Sequence, residues 1–244
     1  TLQVKTPDRS MDILLNGWLL YQTLSCRVWA RTGFYQSSGA YCFRDQLQDV
    51  MALCVSNPGI AREHILRAAG RQFAAGDVQH WWLPTSGKGV KTRVADDRIW
   101  LPFVAEHYLK ATQDFAILDE PLPFLAGDPL PADSQEVFSA PDFTADTATL
   151  FEHCVRALDS SLTIGSHGLP LFGTGDWNDG MNRVGAAGRG ESVWMGWFLH
   201  ATLLRFAPIA DARGEAATAA QWRKHAFALQ QAIEREAWDG DWYR

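Results

Sequence analysis

The sequence predicts an all-α fold, and three observations predict it. Apolar residues recur at helical spacing in seven stretches, alternating strand patterns are scarce, and the connections between the helical stretches are long and aromatic. Helix pairs joined by long loops gathered at one end describe helical hairpins arranged around a ring. No short-period repeat and no shift in composition divides the 244 residues, so residues 1–244 read as a single domain.

The first stretch covers 11–31, and the aromatic connection "TGFYQSSGAYCF" at 32–43 follows it. The second, 44–57, opens on "FRDQLQDVM", whose carboxylates suit the positive end of a helix dipole. The third, 59–75, has Asn57 as a cap ahead of Pro58, a residue suited to a first helical position. A loop at 76–95 leads to the fourth, 97–113, for which Asp96 or Asp97 reads as the N-terminal cap. The Pro-rich 119–145 precedes the fifth, 146–163, with Asp146 as a cap, and the loop 165–191 leads to the last two, 191–207 and 215–238.

A hydrophobic content of 47% fits a globular chain, and a net charge of −6 with no dense Lys/Arg block argues against nucleic acid as a ligand. The four cysteines, Cys26, Cys42, Cys54 and Cys154, have no metal or redox spacing and read as reduced thiols of a cytoplasmic compartment. The scattered histidines suggest no metal site, and "SGKG" at 86–89 lacks the spacing of a phosphate-binding loop. The longest apolar runs fall short of the roughly 20 residues a bilayer span needs. Both ends read as cut from something larger.

Eleven tryptophans are several times an ordinary share. Trp81, Trp82, Trp100 and Trp177 lie in or beside loops among polar groups, and indole faces stack on the C–H faces of sugars while Asp, Asn and Arg bond the hydroxyls. For Trp18, Trp29, Trp194 and Trp197, embedded in helices, core packing is the expectation.

Three motifs carry the chemistry. In "FRDQLQDVM", Asp45 and Asp49 lie four apart on one helix face, and Arg44 beside them can orient carboxylates toward hydroxyl donors. "TRVADDRIW" repeats that theme with Arg93, Asp96, Asp97 and Arg98. In "GDWNDGMN", at 175–182, glycines flank Asp176, Trp177, Asn178 and Asp179, which makes a shaped loop rather than a helix. Asp179 is the candidate proton donor to a glycosidic oxygen, with Trp177 as a wall that keeps it dry and protonated and Asp176 as its structural partner bonding loop amides.

On these motifs, and on "HWWLPTSGKGVKTRVADDRIWLPF" and "GDWNDGMNRVGAAGRGESVWMGWFL", the chain resembles glycoside hydrolase family 94, the cellobiose-phosphorylase family, over nearly its whole length. Within that family it is most similar to the phosphorylase-like C-terminal region of cyclic β-1,2-glucan synthases. The resemblance implies an (α/α)6-barrel, incomplete in this chain, that cleaves a β-linked glucan with inorganic phosphate and inverts the anomeric centre to α-glucose 1-phosphate. It implies Asp179 as general acid, Trp177 lining the sugar site, and Arg44 and Asp49 binding the sugar at the −1 subsite. Asp45, Asp176 and Asn178 join the expected substrate-binding set.

Phosphate is already an anionic nucleophile, so no second carboxylate is needed as general base, and no cofactor or metal is expected beyond phosphate as co-substrate. The expected partners are a β-glucan oligosaccharide and phosphate, with a cytoplasmic location as part of an inner-membrane synthase. Two alternatives stay open. An inverting hydrolase would need a carboxylate roughly 6.5–9.5 Å from Asp179 across the sugar, for which Asp45, Asp49 and Asp97 are available. A carbohydrate-binding or inactive fragment would keep the acid and lack a phosphate site.

Overall fold

A computed structural model describes residues 3–29, 38–131 and 133–243. The chain enters its first helical run at Asp8, whose carboxylate accepts the N–H of Ser10 at 2.8 Å. That run comprises α1 (Arg9–Ile13), a π-helical segment (Leu14–Trp18), α2 (Leu19–Gln22) and a second π-helical segment (Thr23–Trp29). The next elements are β1 (Tyr41–Cys42), α3 (Phe43–Met51), α4 (Pro58–Ala69), β2 (Gln79–Trp82) and β3 (Gly89–Thr92). A 3₁₀ turn (Asp97–Ile99) leads into α5 (Trp100–Thr112), followed by a 3₁₀ turn (Phe115–Asp119), β4 (Pro121–Leu125), β5 (Glu136–Ser139) and β6 (Phe143–Thr149). The chain continues with α6 (Leu150–Asp159), a 3₁₀ turn (Asp179–Met181), α7 (Val193–Ala212) and α8 (Ala216–Glu236).

The fold is therefore not all-α, and the purely helical barrel that the resemblance implied is corrected with it. A four-stranded antiparallel sheet in the order β1-β2-β3-β5 and a two-stranded sheet β4-β6 are built from segments that the sequence suggested were loops, except that the end of β6, 146–149, was expected to be helical. The strands are legible only through their partners. Gln79–Trp82 is buried at both ends and Gly89–Thr92 over three consecutive residues, so neither shows the period-two alternation of a sheet with one wet face. Gly89 makes the β2–β3 pairing possible: a Cβ there would stand 2.1 Å from the Trp81 carbonyl oxygen.

Caps shift accordingly. Asp146 lies within β6, and α6 is capped by Thr149, whose hydroxyl accepts the Glu152 N–H while Glu152 accepts the Thr149 N–H at 2.7 Å. Asn57 and Pro58 do open α4. Neither Asp96 nor Asp97 caps α5, whose cap residue is Ile99; their carboxylates turn elsewhere.

One hydrophobic core is shared by α3 to α8, with Phe43, Leu47, Ile65, Leu101, Leu158, Phe206 and Trp222 fully buried. The tryptophan expectations are reversed at six positions, while Trp177 is exposed and Trp81 half-buried. Trp82 and Trp100, expected at a sugar, are buried, whereas the helix-borne Trp18, Trp29, Trp194 and Trp197 are exposed, Trp29 by 63%.

The loops at 76–95 and 165–191 meet. Val94 bridges Gly173, Ala95 N–H donates to the Gly175 carbonyl at 2.8 Å, and Thr174 N–H donates to the Arg93 carbonyl at 3.1 Å. Gly173, at φ +65°, allows this approach, since a Cβ there would lie 1.9 Å from the Arg93 oxygen. Of the expected third partner, 32–43, residues 32–37 lie outside the described residues, and Tyr41–Cys42 pairs with β2.

Candidate active site

Arg44 occupies the first turn of α3, buried beneath the junction of the two loops. Its Nη1 donates to Asp96 Oδ1 at 3.1 Å and to the Asp176 carbonyl at 2.9 Å, and its Nη2 donates to Asp179 Oδ2 at 2.6 Å. One guanidinium thus ties a helix, the turn before α5 and the "DWND" loop into a single cluster. Burial alone would lower the pKa of Arg44, but the carboxylates of Asp96, Asp97 and Asp179 outweigh it and raise the pKa.

Asp96, fully buried, also accepts the indole N–H of Trp100 at 3.0 Å. Burial and the adjacent Asp97 push its pKa up against the pull of Arg44. Asp97 accepts from His80 Nδ1 at 2.7 Å. Burial would lower His80; the Asp97 carboxylate overrides it and raises the imidazole to about 9, so His80 is a cation at neutral pH.

The "DWND" loop is anchored through Asp176. Its Oδ1 accepts the Asn178 N–H at 2.8 Å, and its Oδ2 accepts the Ser192 hydroxyl at 2.7 Å. Ser192 in turn caps α7 by accepting the Met195 N–H at 3.0 Å. The loop therefore inherits the rigidity of a 20-residue helix. At its far end Asp179 starts a 3₁₀ turn with its side chain 52% exposed, so a solvent-borne molecule can reach it.

Of the sequence-predicted residues, Arg44, Asp176 and Asp179 come together, with Asn178 exposed on the same loop. Asp45 is half-buried in the first turn of α3. Asp49 lies at the other end of that helix, where its carboxylate meets Arg27 Nε at 3.2 Å. Trp177 is 55% exposed beside a half-exposed Asp179, so the dry wall expected of it is not in place. Sequence reasoning missed Asp96 as a ligand of Arg44, and it missed the pairing of Asp97 with His80. "DD" before a helix resembles a cap, and His80 lies 17 residues from its partner. Among the described residues no group of three or more His, Cys, Asp or Glu is placed to hold a metal ion.

The arrangement is a buried cation ringed by carboxylates, with one reachable carboxyl on an anchored loop that follows an exposed tryptophan. The family model described as "Glycosyl hydrolase 94 superfamily, catalytic domain" matches residues 1–244. The chain belongs to glycosyl hydrolase family 94. Its relatives in that family include the cyclic beta-(1,2)-glucan synthase NdvB of Rhizobium meliloti, 50% identical over 244 residues that make up 100% of this chain and 9% of that protein. A solabiose phosphorylase of Paenibacillus borealis is 32% identical over 99% of this chain and 28% of its own length. A cellobionic acid phosphorylase of Neurospora crassa is 31% identical over 99% and 28%. The chain thus spans less than a third of each of these relatives, and this family-94 segment is similar to glycoside phosphorylases throughout. No helix among the described residues is long and apolar enough to cross a membrane.

Proposed function

We propose that this chain is the glycoside phosphorylase module of a larger protein. It cleaves a β-linked glucan, of β-1,2 linkage, with inorganic phosphate as co-substrate, and it sets chain length within a cyclic β-1,2-glucan synthase. The observation that carries the reading is the reachable carboxyl of Asp179, held by an anchored loop against the buried Arg44. Family membership and the identity to NdvB support the chemistry and the linkage. A reducing, cytoplasmic site of action is part of the proposal, in keeping with four cysteines that have no metal or redox spacing in the sequence.

In this mechanism Asp179 donates its proton to the glycosidic oxygen while phosphate attacks the anomeric carbon from the opposite face. The C–O bond to the leaving glucan breaks, a C–O bond to phosphate forms, and α-glucose 1-phosphate and a shortened glucan result. Arg44 Nη2 faces Asp179 directly, so the carboxyl must turn from the guanidinium toward the substrate to deliver its proton. Arg44 and Asp49, with Asp45, Trp177 and Asn178 at the rim, hold the sugar. Asp176 works on the loop, through its bonds to Asn178 and Ser192.

The test is formation of α-glucose 1-phosphate, followed by ³¹P NMR, when the full-length protein meets a β-1,2-glucan oligosaccharide and phosphate. Asp179→Asn is expected to lower the rate by roughly 10²–10⁴-fold, the span of general acid catalysis, with glucan binding retained. Asp176→Asn is expected to lower the melting temperature and to retain measurable turnover. Phosphate-independent release of glucose would replace the reading by a hydrolase, and glucan binding with no turnover would replace it by a binding module.

A further inference from the structure

A second arginine, Arg98, stands in the opposite situation to Arg44. It follows Asp97 directly, yet it lines a cavity of about 1020 Å³ that none of the cluster's carboxylates lines. Among the described residues no carboxylate forms an ion pair with it. Its hydrogen bonds are two contacts at 3.5 Å, to the carbonyl and hydroxyl oxygens of Ser160, and its Nε is buried with no partner. Burial lowers its pKa, with Asp77, Asp97 and Asp96 opposing only at a distance. A half-buried guanidinium without an ion pair keeps donors to offer, and the adjoining cavity is where they can be used.

The cavity wall offers further partners. Thr174 Oγ1 lines the same cavity and is buried without a hydrogen-bond partner, and Thr163 adds a further hydroxyl at the rim. Two acidic residues line the cavity: Asp133 is exposed at its edge, and Asp77 is neutralised by Lys91 Nζ at 2.8 Å. The Oδ1 of Asp77 is buried and has no hydrogen-bond partner among the described residues. Among the described residues no tryptophan, tyrosine or phenylalanine lines the cavity, so they provide no stacking platform for a bare sugar there.

We infer that this cavity is a binding site for a phosphate group, held by Arg98 and Thr174, and separate from the Arg44 cluster. Phosphate oxygens accept from the guanidinium and the threonine hydroxyl, and a hydroxyl on the phosphate or its carrier donates to Asp77 Oδ1. None of Arg44, His80, Asp49, Asp96, Asp97, Asp176 or Asp179 lines it. The two sites share a wall all the same: Asp97 and Arg98 are consecutive, and Thr174 lies two residues before Asp176. The inference does not depend on the proposed phosphorylase reaction.

The experiment measures protection of the full-length protein against thermal unfolding by inorganic phosphate, by glucose 6-phosphate, which that reaction neither consumes nor forms, and by glucose. Wild type is expected to be protected by one or both phosphates and not by glucose, and the comparison between phosphates tells free phosphate from a sugar-borne one. Arg98→Met should weaken that binding at least tenfold, and Thr174→Val several-fold. Thr174→Val serves as the deciding variant should Arg98→Met fail to fold. Equal protection of wild type and both variants would overturn the inference, because the anion would then sit elsewhere. Absence of protection by either phosphate, or protection by glucose that is lost in Arg98→Met, would overturn it as well.

Discussion

Arg44 and Arg98 lie on either side of one stretch of wall, and they make opposite use of the same side chain. Arg44 is engaged from within the protein: two carboxylates and a backbone carbonyl take three of its five N–H groups, and a fourth contact, to a sugar, does not require that these be given up except where Asp179 turns to the substrate. Arg98 has only marginal contacts among the described residues, and its Nε is buried without a hydrogen-bond partner. The difference lies in what the chain brings to each from a distance. Arg44 receives ligands 52, 132 and 135 residues away, so its bonds fasten the tertiary structure together. Arg98 receives no such carboxylate, so it retains binding capacity for a molecule that is not part of the fold.

The largest test of this contrast is stability. Arg44→Met leaves Asp96 buried without its cation and bonded only to the Trp100 indole, and removing one partner of a buried pair costs about 3–5 kcal/mol. Urea unfolding should show that loss, and a loss under 1 kcal/mol would remove Arg44 from the role of fastener. His80 supplies a pH-resolved version. Its folded pKa, about 9, lies above the roughly 6.5 of an unfolded histidine, so its contribution is complete below pH about 6.5 and disappears as pH rises through about 9. The groups that set this are Asp97 and Asp179, opposed by Arg44. In His80→Gln, the difference in unfolding free energy from wild type should shrink by about 2–3 kcal/mol between pH 6.5 and 9. A difference that stays constant over that range would detach His80 from Asp97. The smallest effect belongs to Arg98→Met without added phosphate. Replacing a guanidinium that has no ion pair by an apolar chain of similar length should change the unfolding free energy by less than about 1 kcal/mol, in either direction. A loss as large as that of Arg44→Met would make both arginines fasteners and abolish the contrast.

How much was legible in advance depended on the range of the interaction. The helices from α3 onward overlap the stretches that helical spacing marked, α7 running on to Ala212 beyond the expected 207, because a helix is stabilised by contacts three and four residues apart. The strands were not legible. Tyr41–Cys42 becomes a strand because Trp81 and Trp82 lie beside it, and Gly89–Thr92 because Glu136–Ser139 does. Tryptophan burial misled for the same reason: composition says that indoles are buried on average, whereas position in the fold exposes Trp29 and buries Trp82.

For the site, the sequence by itself determined the family, the shaped "GDWNDG" loop and the presence of an arginine between acidic residues, since these are properties of short segments and of residue chemistry. Only the tertiary structure decided which acid meets which base. Asp96 turns to Arg44 instead of capping α5, Asp97 takes His80, and Asp49 meets Arg27 at the other end of α3 from Arg44. An ion pair needs two charges within about 4 Å, and the chain distance between them carries no information about that separation until the backbone is folded.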